Sequence, residues 1–304
     1  MPVELFVADI NEQRLKNSGL PDSHRSIDAY AFFPHVDGAI IVTPAQTHFD
    51  LCRELLELRK DVFVEKPITL LSVEARRLAE IAECTQCILQ VGHIFRFDSA
   101  SLWLRDEIRQ GRLGRLKILR GRFSGFKRPR PDTGVTFADA IHFIDLFNFF
   151  LGKAPHRVHA IVKDFMGRGM DDESLVALEY GTTDGPVLAI VEAGYHIPGK
   201  AREVTVVGEK SSVVCDYNVA QYKIRTFENR HLAEAGSFEA VEGEVHQLEF
   251  PPEEPLRTEL TAFIESLETR EPSLADGRSG FEAVRVVEAA LESARAGRWI
   301  EIAE

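Results

Sequence analysis

The sequence predicts an α/β protein in two parts: an incomplete Rossmann domain, then an α+β domain with a large, mostly antiparallel open sheet. Three observations predict this. Short apolar runs alternate with helical patterns through the first hundred residues. A series of β-type runs without intervening helices follows. Only eight residues, none of them glycine, precede the first strand-ending acid, Asp9. The doubly wound parallel sheet is therefore expected to lack its first strand and glycine loop. The expected division is residues 1–97 for the incomplete Rossmann part and 98–304 for the α+β part.

Val3–Ala8 is the first apolar run, ending in Asp9. Ala39–Val42 closes on Thr43-Pro44, Asp61–Val64 on Glu65-Lys66-Pro67, and Cys87–Val91 on Gly92-His93. Such short runs suit strands buried on both faces of a parallel sheet. Helical spacing begins at Thr47 and again at Ser72, which is expected to cap the second helix. Strands alternating with helices form βαβ units, whose ligands bind beyond the carboxyl ends of the strands. Beyond Phe97, Asp98–Gln110 predicts a helix and Leu116–Phe123 a strand. Ala138–Leu151 predicts a long helix stopped by Gly152. Arg157–Val162, Ser174–Tyr180, Val187–Glu192, Glu203–Val207 and Ser212–Tyr217 predict strands of a mostly antiparallel sheet. Leu256–Leu267 and Gly280–Ala296 predict closing helices.

The chain has 304 residues, 44% of them hydrophobic and 28% charged, enough for two real cores. A net charge of −12 repels phosphate backbones, so neither nucleic acid nor anionic membrane is an expected partner. The basic cluster Arg120, Arg122, Lys127, Arg128 and Arg130 can still meet a phosphorylated small molecule. No stretch reaches the roughly 20 apolar residues of a membrane span. No basic segment opens the chain, so a cytoplasmic location is expected. Four cysteines are too few for a disulfide scaffold. Cys84 and Cys87 form a C-x-x-C without a second pair and are expected to be two small buried side chains.

Several residues carry chemistry. Asp9 is either a turn acid or the carboxylate that receives the adenosine ribose hydroxyls, which favours NAD and repels the extra phosphate of NADP. Glu65-Lys66-Pro67 is either a surface ion pair or a held lysine whose desolvated amine suits proton transfer. Asp139 and His142 are three apart on one predicted helix and so share a face. They read either as a helix acid beside a packed histidine or as a carboxylate that orients a proton-accepting ring. His93 and His142 also suit a metal by type, without the spacing that would support one, so no metal is expected.

Taken in order, Asp9, Thr43-Pro44 with His48, Glu65-Lys66-Pro67, Gly92-His93 with Arg96-Phe97, and Asp139 with His142 resemble the glucose–fructose oxidoreductase / inositol dehydrogenase / MocA family. The resemblance spans essentially the whole chain, including Gly280-Phe281-Glu282-Ala283. Residues 92–97 and 136–145 are most similar to members acting on nucleotide sugars, such as UDP-N-acetylglucosamine 3-dehydrogenases. The resemblance implies hydride transfer between a nicotinamide cofactor, NAD with NADP as the alternative, and a hydroxyl carbon of a sugar or nucleotide sugar. It implies an open sheet used in oligomer contacts, hence a homodimer or homotetramer. It places Asp9, Thr43, Pro44, His48, Glu65, Lys66, His93 and Arg96 at the cofactor. Lys66 orients substrate and assists proton transfer, His142 is the general acid/base, and Asp139 supports it. In one respect the chain departs from the family pattern, which sets the acid four residues before the histidine, where Ala138 stands.

A ribose-binding acid lies about 20 residues after a Gly-x-Gly-x-x-Gly loop. Without that loop, the amides and helix dipole that hold a pyrophosphate are missing, and weaker dinucleotide binding is expected. Either the gene product begins upstream and Met1 is internal, or the chain has lost the redox reaction and become a non-catalytic oligomeric sugar-binding or scaffold protein. The retained set Lys66, Asp139 and His142 favours the first.

Overall fold

The β-structure consists of two parallel pieces, a hairpin and one large mixed sheet, in a computed structural model that describes residues 3–234, 236–251 and 253–302. The expectation that Met1 is internal concerns a position outside the described residues. The first half runs β1 (Val7–Ala8), α1 (Glu12–Asn17), β2 (Arg25–Ser26), β3 (Gly38–Ile41), α2 (His48–Glu57), β4 (Asp61–Val64), α3 (Ser72–Thr85) and β5 (Leu89–Val91). β3, β4 and β5 pair in parallel, with Phe63 of β4 between Ile40 and Gln90. Every residue of β4 is buried, as its continuous apolar run requires.

β1 and β2 form a separate parallel ladder. Among the described residues, no strand joins it to β3. The run Val3–Ala8 is a strand only at its end, because β2 offers two residues of pairing, and Val3 and Leu5 stay exposed. α1 follows Asn11, whose Oδ1 accepts the Gln13 and Arg14 amides. Ser72 is not the cap of α3. It is the first helical residue, and its amide donates to Glu288 Oε2 at 3.0 Å. The pair expected to be buried also differs: Cys84 lies on the exposed side of α3 and Cys87 is half-buried.

The second half runs α4 (Ser99–Arg109), β6 (Leu116–Gly125), α5 (Ile141–Leu151), β7 (Arg157–Lys163), β8 (Glu173–Thr182), β9 (Gly185–Gly194), β10 (Lys200–Gly208), β11 (Ser212–Asp216), β12 (Ile224–Phe227), β13 (Arg230–Glu234), β14 (Ser237–Val241), β15 (Val245–Leu248), α6 (Pro255–Thr269), α7 (Gly277–Ala296) and β16 (Ile300–Glu301). Nine of these strands form one sheet in the order β15-β12-β11-β10-β6-β9-β8-β7-β16. Its neighbours are antiparallel except β6 and β9, so the expected sheet is mixed at one ladder. β13 and β14 stand apart as the hairpin.

α5 and α7 cover one face of the large sheet. Nine of the eleven residues of α5 are buried, which is why a helix apolar nearly all round lies inside. It sits close on β6 because residue 121 is glycine: a Cβ there would stand 2.8 Å from Phe143 Cδ2. Gly152 ends the helix at φ 67°, as expected. The start differs, since Thr136–Ala140 form a π-helical turn and α5 begins only at Ile141. The opposite face of the sheet exposes Ile118, Ile161, Leu175 and Leu188. No helix among the described residues is long and apolar enough to cross a membrane.

The last two helices return to the first half. Val91 donates its amide to Ala275 O at 2.7 Å, and Gln90 Nε2 donates to Glu259 O at 2.9 Å. Arg96, between β5 and α4, reaches into α5. Its Nε and Nη2 donate to Asp145 Oδ2 and Oδ1 at 2.8 and 2.7 Å, and its Nη1 donates to Leu274 O at 2.6 Å. Both partners are buried, so cutting one strands the other. Asp145→Ala is expected to cost about 3–5 kcal/mol of stability, measured by urea unfolding. A loss below about 1 kcal/mol would mean the pair does not hold the halves together.

Candidate active site

Parallel register brings the carboxyl ends of β3, β4 and β5 side by side, and with them Thr43-Pro44, Glu65-Lys66-Pro67 and Gly92-His93. Lys66 follows β4, and the Lys66–Pro67 peptide is cis. Its amide donates to Glu65 Oε2 at 3.2 Å. Its Nζ donates to the Ala138 carbonyl, inside the π-turn of the second half. Burial lowers the ammonium to about 8, with the Asp139 carboxylate pulling the other way. Gly92 packs against this motif: a Cβ there would lie 3.0 Å from Glu65 Oε2.

His142 sits in the first turn of α5 and stacks on Phe123, with ring centroids 4.9 Å apart and planes at 22°. Phe95 meets it edge-on at 5.3 Å. Burial holds the ring well below the ordinary histidine range, and the cations Lys66, Arg202 and Lys127 push the same way. His93 is buried, with Nδ1 3.5 Å from Asp145 Oδ2. Burial takes it to about 4 despite that carboxylate. Lys66, His93 and His142 thus form one electrostatically connected group at the junction of the halves.

Asp139 does not orient His142 as expected. Its carboxylate oxygens lie 3.0 and 2.8 Å from Lys127 Nζ, and His142 Nδ1 has no hydrogen-bond partner. The cause is local geometry. A π-turn is wider than an α-turn, so a spacing of three no longer aligns two side chains. Asp139 still reaches Lys66 through its field.

Two residues expected at the cofactor are otherwise committed. Arg96 spends its fork on Asp145 and Leu274 O, as above. His48 is buried, with Nδ1 2.9 Å from Pro67 O and Nε2 2.8 Å from Thr43 O. It ties the two loops together instead of facing a ligand. The Thr43 hydroxyl lies 2.7 Å from that of Thr47. Asp9 follows β1 in a partly open position. Its Oδ1 accepts the Asn11 amide at 2.8 Å and its Oδ2 lies 3.4 Å from Arg14 Nη1. Among the described residues, no group of three His, Cys, Asp or Glu could hold a metal ion.

Sequence reasoning missed Phe123 and Arg202 and did not pair Lys127 with Asp139. Arg202 lies opposite Phe123 in the β10–β6 ladder, its guanidinium 3.5 Å from the centre of that ring. A signal was present. Arg202, Val204 and Val206 alternate on the buried face of β10, an unusual register for an arginine.

Residues 7–93 match the NAD-binding Rossmann fold of an oxidoreductase family, and residues 105–302 match its C-terminal alpha/beta domain. The chain is similar to an inositol 2-dehydrogenase of Rhizobium meliloti, 26% identical over 296 residues, 92% of this chain and 84% of that protein. It is similar to a UDP-N-acetylglucosamine 3-dehydrogenase of Acidithiobacillus ferrooxidans, 26% identical over 269 residues, 88% and 80% of the two chains. An inositol dehydrogenase homologue from Azotobacter vinelandii, solved with NADH and myo-inositol, shares the fold at a TM-score of 0.79 and 19% identity, over 96% of this chain and 88% of that one. The chain therefore belongs to the glucose–fructose oxidoreductase / inositol dehydrogenase / MocA oxidoreductase family, with an NAD-binding Rossmann fold followed by the family's alpha/beta domain.

Proposed function

We propose that this chain is an NAD-dependent dehydrogenase acting on a hydroxyl carbon of a sugar, polyol or nucleotide sugar. The observation that carries this reading is the meeting of Lys66 and His142 at the strand ends of an NAD-binding fold. The donor set suits the ribose and nicotinamide ends of the cofactor. Asp9 offers a partly open carboxylate for ribose hydroxyls, and the loops at Thr43-Pro44 and Glu65-Lys66 border the reacting end. When bound, the nicotinamide supplies the hydride acceptor.

The protein's own part is proton handling and positioning. In the oxidative direction the substrate hydroxyl loses its proton as its carbon loses hydride. The neutral imidazole of His142 takes that proton, and the stacked Phe123 ring fixes its plane. Lys66 holds the oxygen, anchored by Ala138 O. With the lysine near 8, its neutral amine at mildly alkaline pH receives that same proton in turn from the weakly basic imidazole, so one proton leaves the hydroxyl and comes to rest on Lys66. Asp139 and Lys127 set the field on Lys66 without touching His142.

The open face of the large sheet supports a partner role for a second copy of the chain. Ile118 and Leu188 are direct neighbours across β6 and β9, Ile161 and Leu175 across β7 and β8, and all four are exposed. Sedimentation should show a dimer or larger assembly that Leu188→Glu converts to monomers. A wild-type monomer contradicts this.

The activity itself is tested by following NADH absorbance with myo-inositol, simple sugars and UDP-N-acetylglucosamine. Binding of NAD without turnover of any of them would sink the reading. Two further outcomes follow from the charges. Below about pH 8 the oxidative rate should rise up to tenfold per unit, because the neutral fraction of Lys66 grows with pH, and it should level off above. Lys66→Met should remove that limb and lower kcat by about 10²–10⁴. His142 should add no inflection near 6.5, and nitrogen NMR should find its ring neutral at pH 6. A ring that titrates near 6.5 would refute the burial argument.

A further inference from the structure

Three Arg or Lys residues are classed among the buried charged side chains of the described residues: Arg96, Lys223 and Arg202. Arg96 pairs bidentately with Asp145. Lys223 lies 2.7 Å from Asp98 and 2.8 Å from Glu253. Arg202 alone of the three has no carboxylate partner among the described residues. Its Nη1 donates to Ser124 O at 2.9 Å and Ala201 O at 2.6 Å. Its Nε and Nη2 make no hydrogen bond among the described residues, and neither is fully enclosed. A buried guanidinium without an anion is costly, and proteins keep few of them.

This guanidinium is also in a telling place. It lies 3.5 Å from the centre of Phe123, the ring on which His142 stacks. Lys127 Nζ stands 5.1 Å from the centre of the same ring. The one carboxylate close to both, Asp139, is already held by Lys127 at 2.8 Å. A second guanidinium acts on Tyr195, whose ring Lys127 also faces at 5.4 Å. Arg168 donates its Nη1 to Arg130 O, while its Nε and Nη2 are buried without a partner. So a chain of net charge −12 gathers Lys66, Lys127, Arg130, Arg168 and Arg202 in one region, where Asp139 is committed to Lys127, Asp132 to Arg130 and Asp171 to Thr136. Such a field attracts an anion.

We propose that the substrate carries an oxyanion, a carboxylate or a phosphate, which docks on the free edge of Arg202 beside Lys127, so that Arg202 selects anionic over neutral sugars. The proposal rests on the dehydrogenase reading for the sugar itself. The shared chemistry is a planar or tetrahedral oxyanion accepting two N–H bonds from one guanidinium. Arg202 and His142 both lie against the Phe123 ring, which places the oxyanion on the side of the oxidised hydroxyl instead of at the adenosine end of the cofactor.

The test separates binding from turnover. Calorimetric titration in the presence of NAD compares glucuronate, glucose 6-phosphate and UDP-glucose with glucose and myo-inositol, for wild type, Arg202→Met and Arg202→Lys. The first three arms distinguish a carboxylate, a phosphate monoester and a diphosphate. At least one anionic sugar should bind more tightly than the neutral ones. Arg202→Met should weaken it by about 10- to 100-fold, and Arg202→Lys by less, with NAD affinity unchanged. Intact NAD affinity and thermal unfolding in the lysine variant show that the fold survives. Equal binding of neutral and anionic sugars, anion binding unaffected by Arg202→Met, or no sugar bound at all would each overturn the proposal. NADH formation is read in parallel. Arg202-dependent anion binding without NADH defeats the dehydrogenase reading alone, whereas turnover of neutral sugars without anion preference defeats this proposal alone.

Discussion

Asp145 accepts both arms of Arg96 from inside α5, and the whole site is arranged around that contact. The carboxylate and the guanidinium are each nearly sealed from water. Neither can be left alone, so the segment after β5 must stay docked on α5. The same carboxylate faces His93, one helical turn along from His142. Just before the helix, the Ala138 carbonyl receives Lys66. One helix therefore takes three groups from the first half or presents them to it. Its burial is secured by phenylalanines and by the absence of a side chain at Gly121.

That arrangement explains why the titratable groups stand away from their ordinary ranges. Lys66, His93 and His142 are desolvated together, and the cations outnumber the carboxylates around His142. Two forces act on the lysine in opposite directions: burial lowers it and Asp139 restrains the fall. Burial wins, which leaves an amine near neutrality. Such shifts gather where chemistry is done, although structural ion pairs produce them too. The distinction lies in pairing. Arg96 and Lys223 are matched by acids and hold the fold, whereas Arg202 has no ion-pair partner among the described residues and lies on the Phe123 ring that His142 stacks on.

Much of this was legible in the sequence. The strand-ending motifs Glu65-Lys66-Pro67 and Gly92-His93 lie where apolar runs stop, and parallel pairing puts such ends together. The run of β-type segments after Gly152 announced the large sheet. The failures have physical causes. Asp139 was placed on the face of His142 by α-helical spacing, and a π-turn undid that spacing. Arg96 and His48 stood at the cofactor only through the family resemblance, and polar side chains at a junction also satisfy each other and the backbone. Arg202 stayed hidden because its importance depends on Phe123, about eighty residues earlier, and that pairing exists only in the ladder between β10 and β6. The short ladder of β1 with β2 was likewise invisible, since two residues carry no periodicity.

A direct hydride transfer to NAD, served by Lys66 and His142, is the step proposed for this site. The measurement closest to it uses a sugar or polyol deuterated on its carbinol carbons, with mass spectrometry of the reduced cofactor and a parallel rate comparison. The expected result is one deuterium carried from substrate carbon to the nicotinamide, a primary isotope effect, and loss of both in Lys66→Met. Reduced cofactor carrying hydrogen from water, or no transfer when substrate and NAD are both bound, would contradict it.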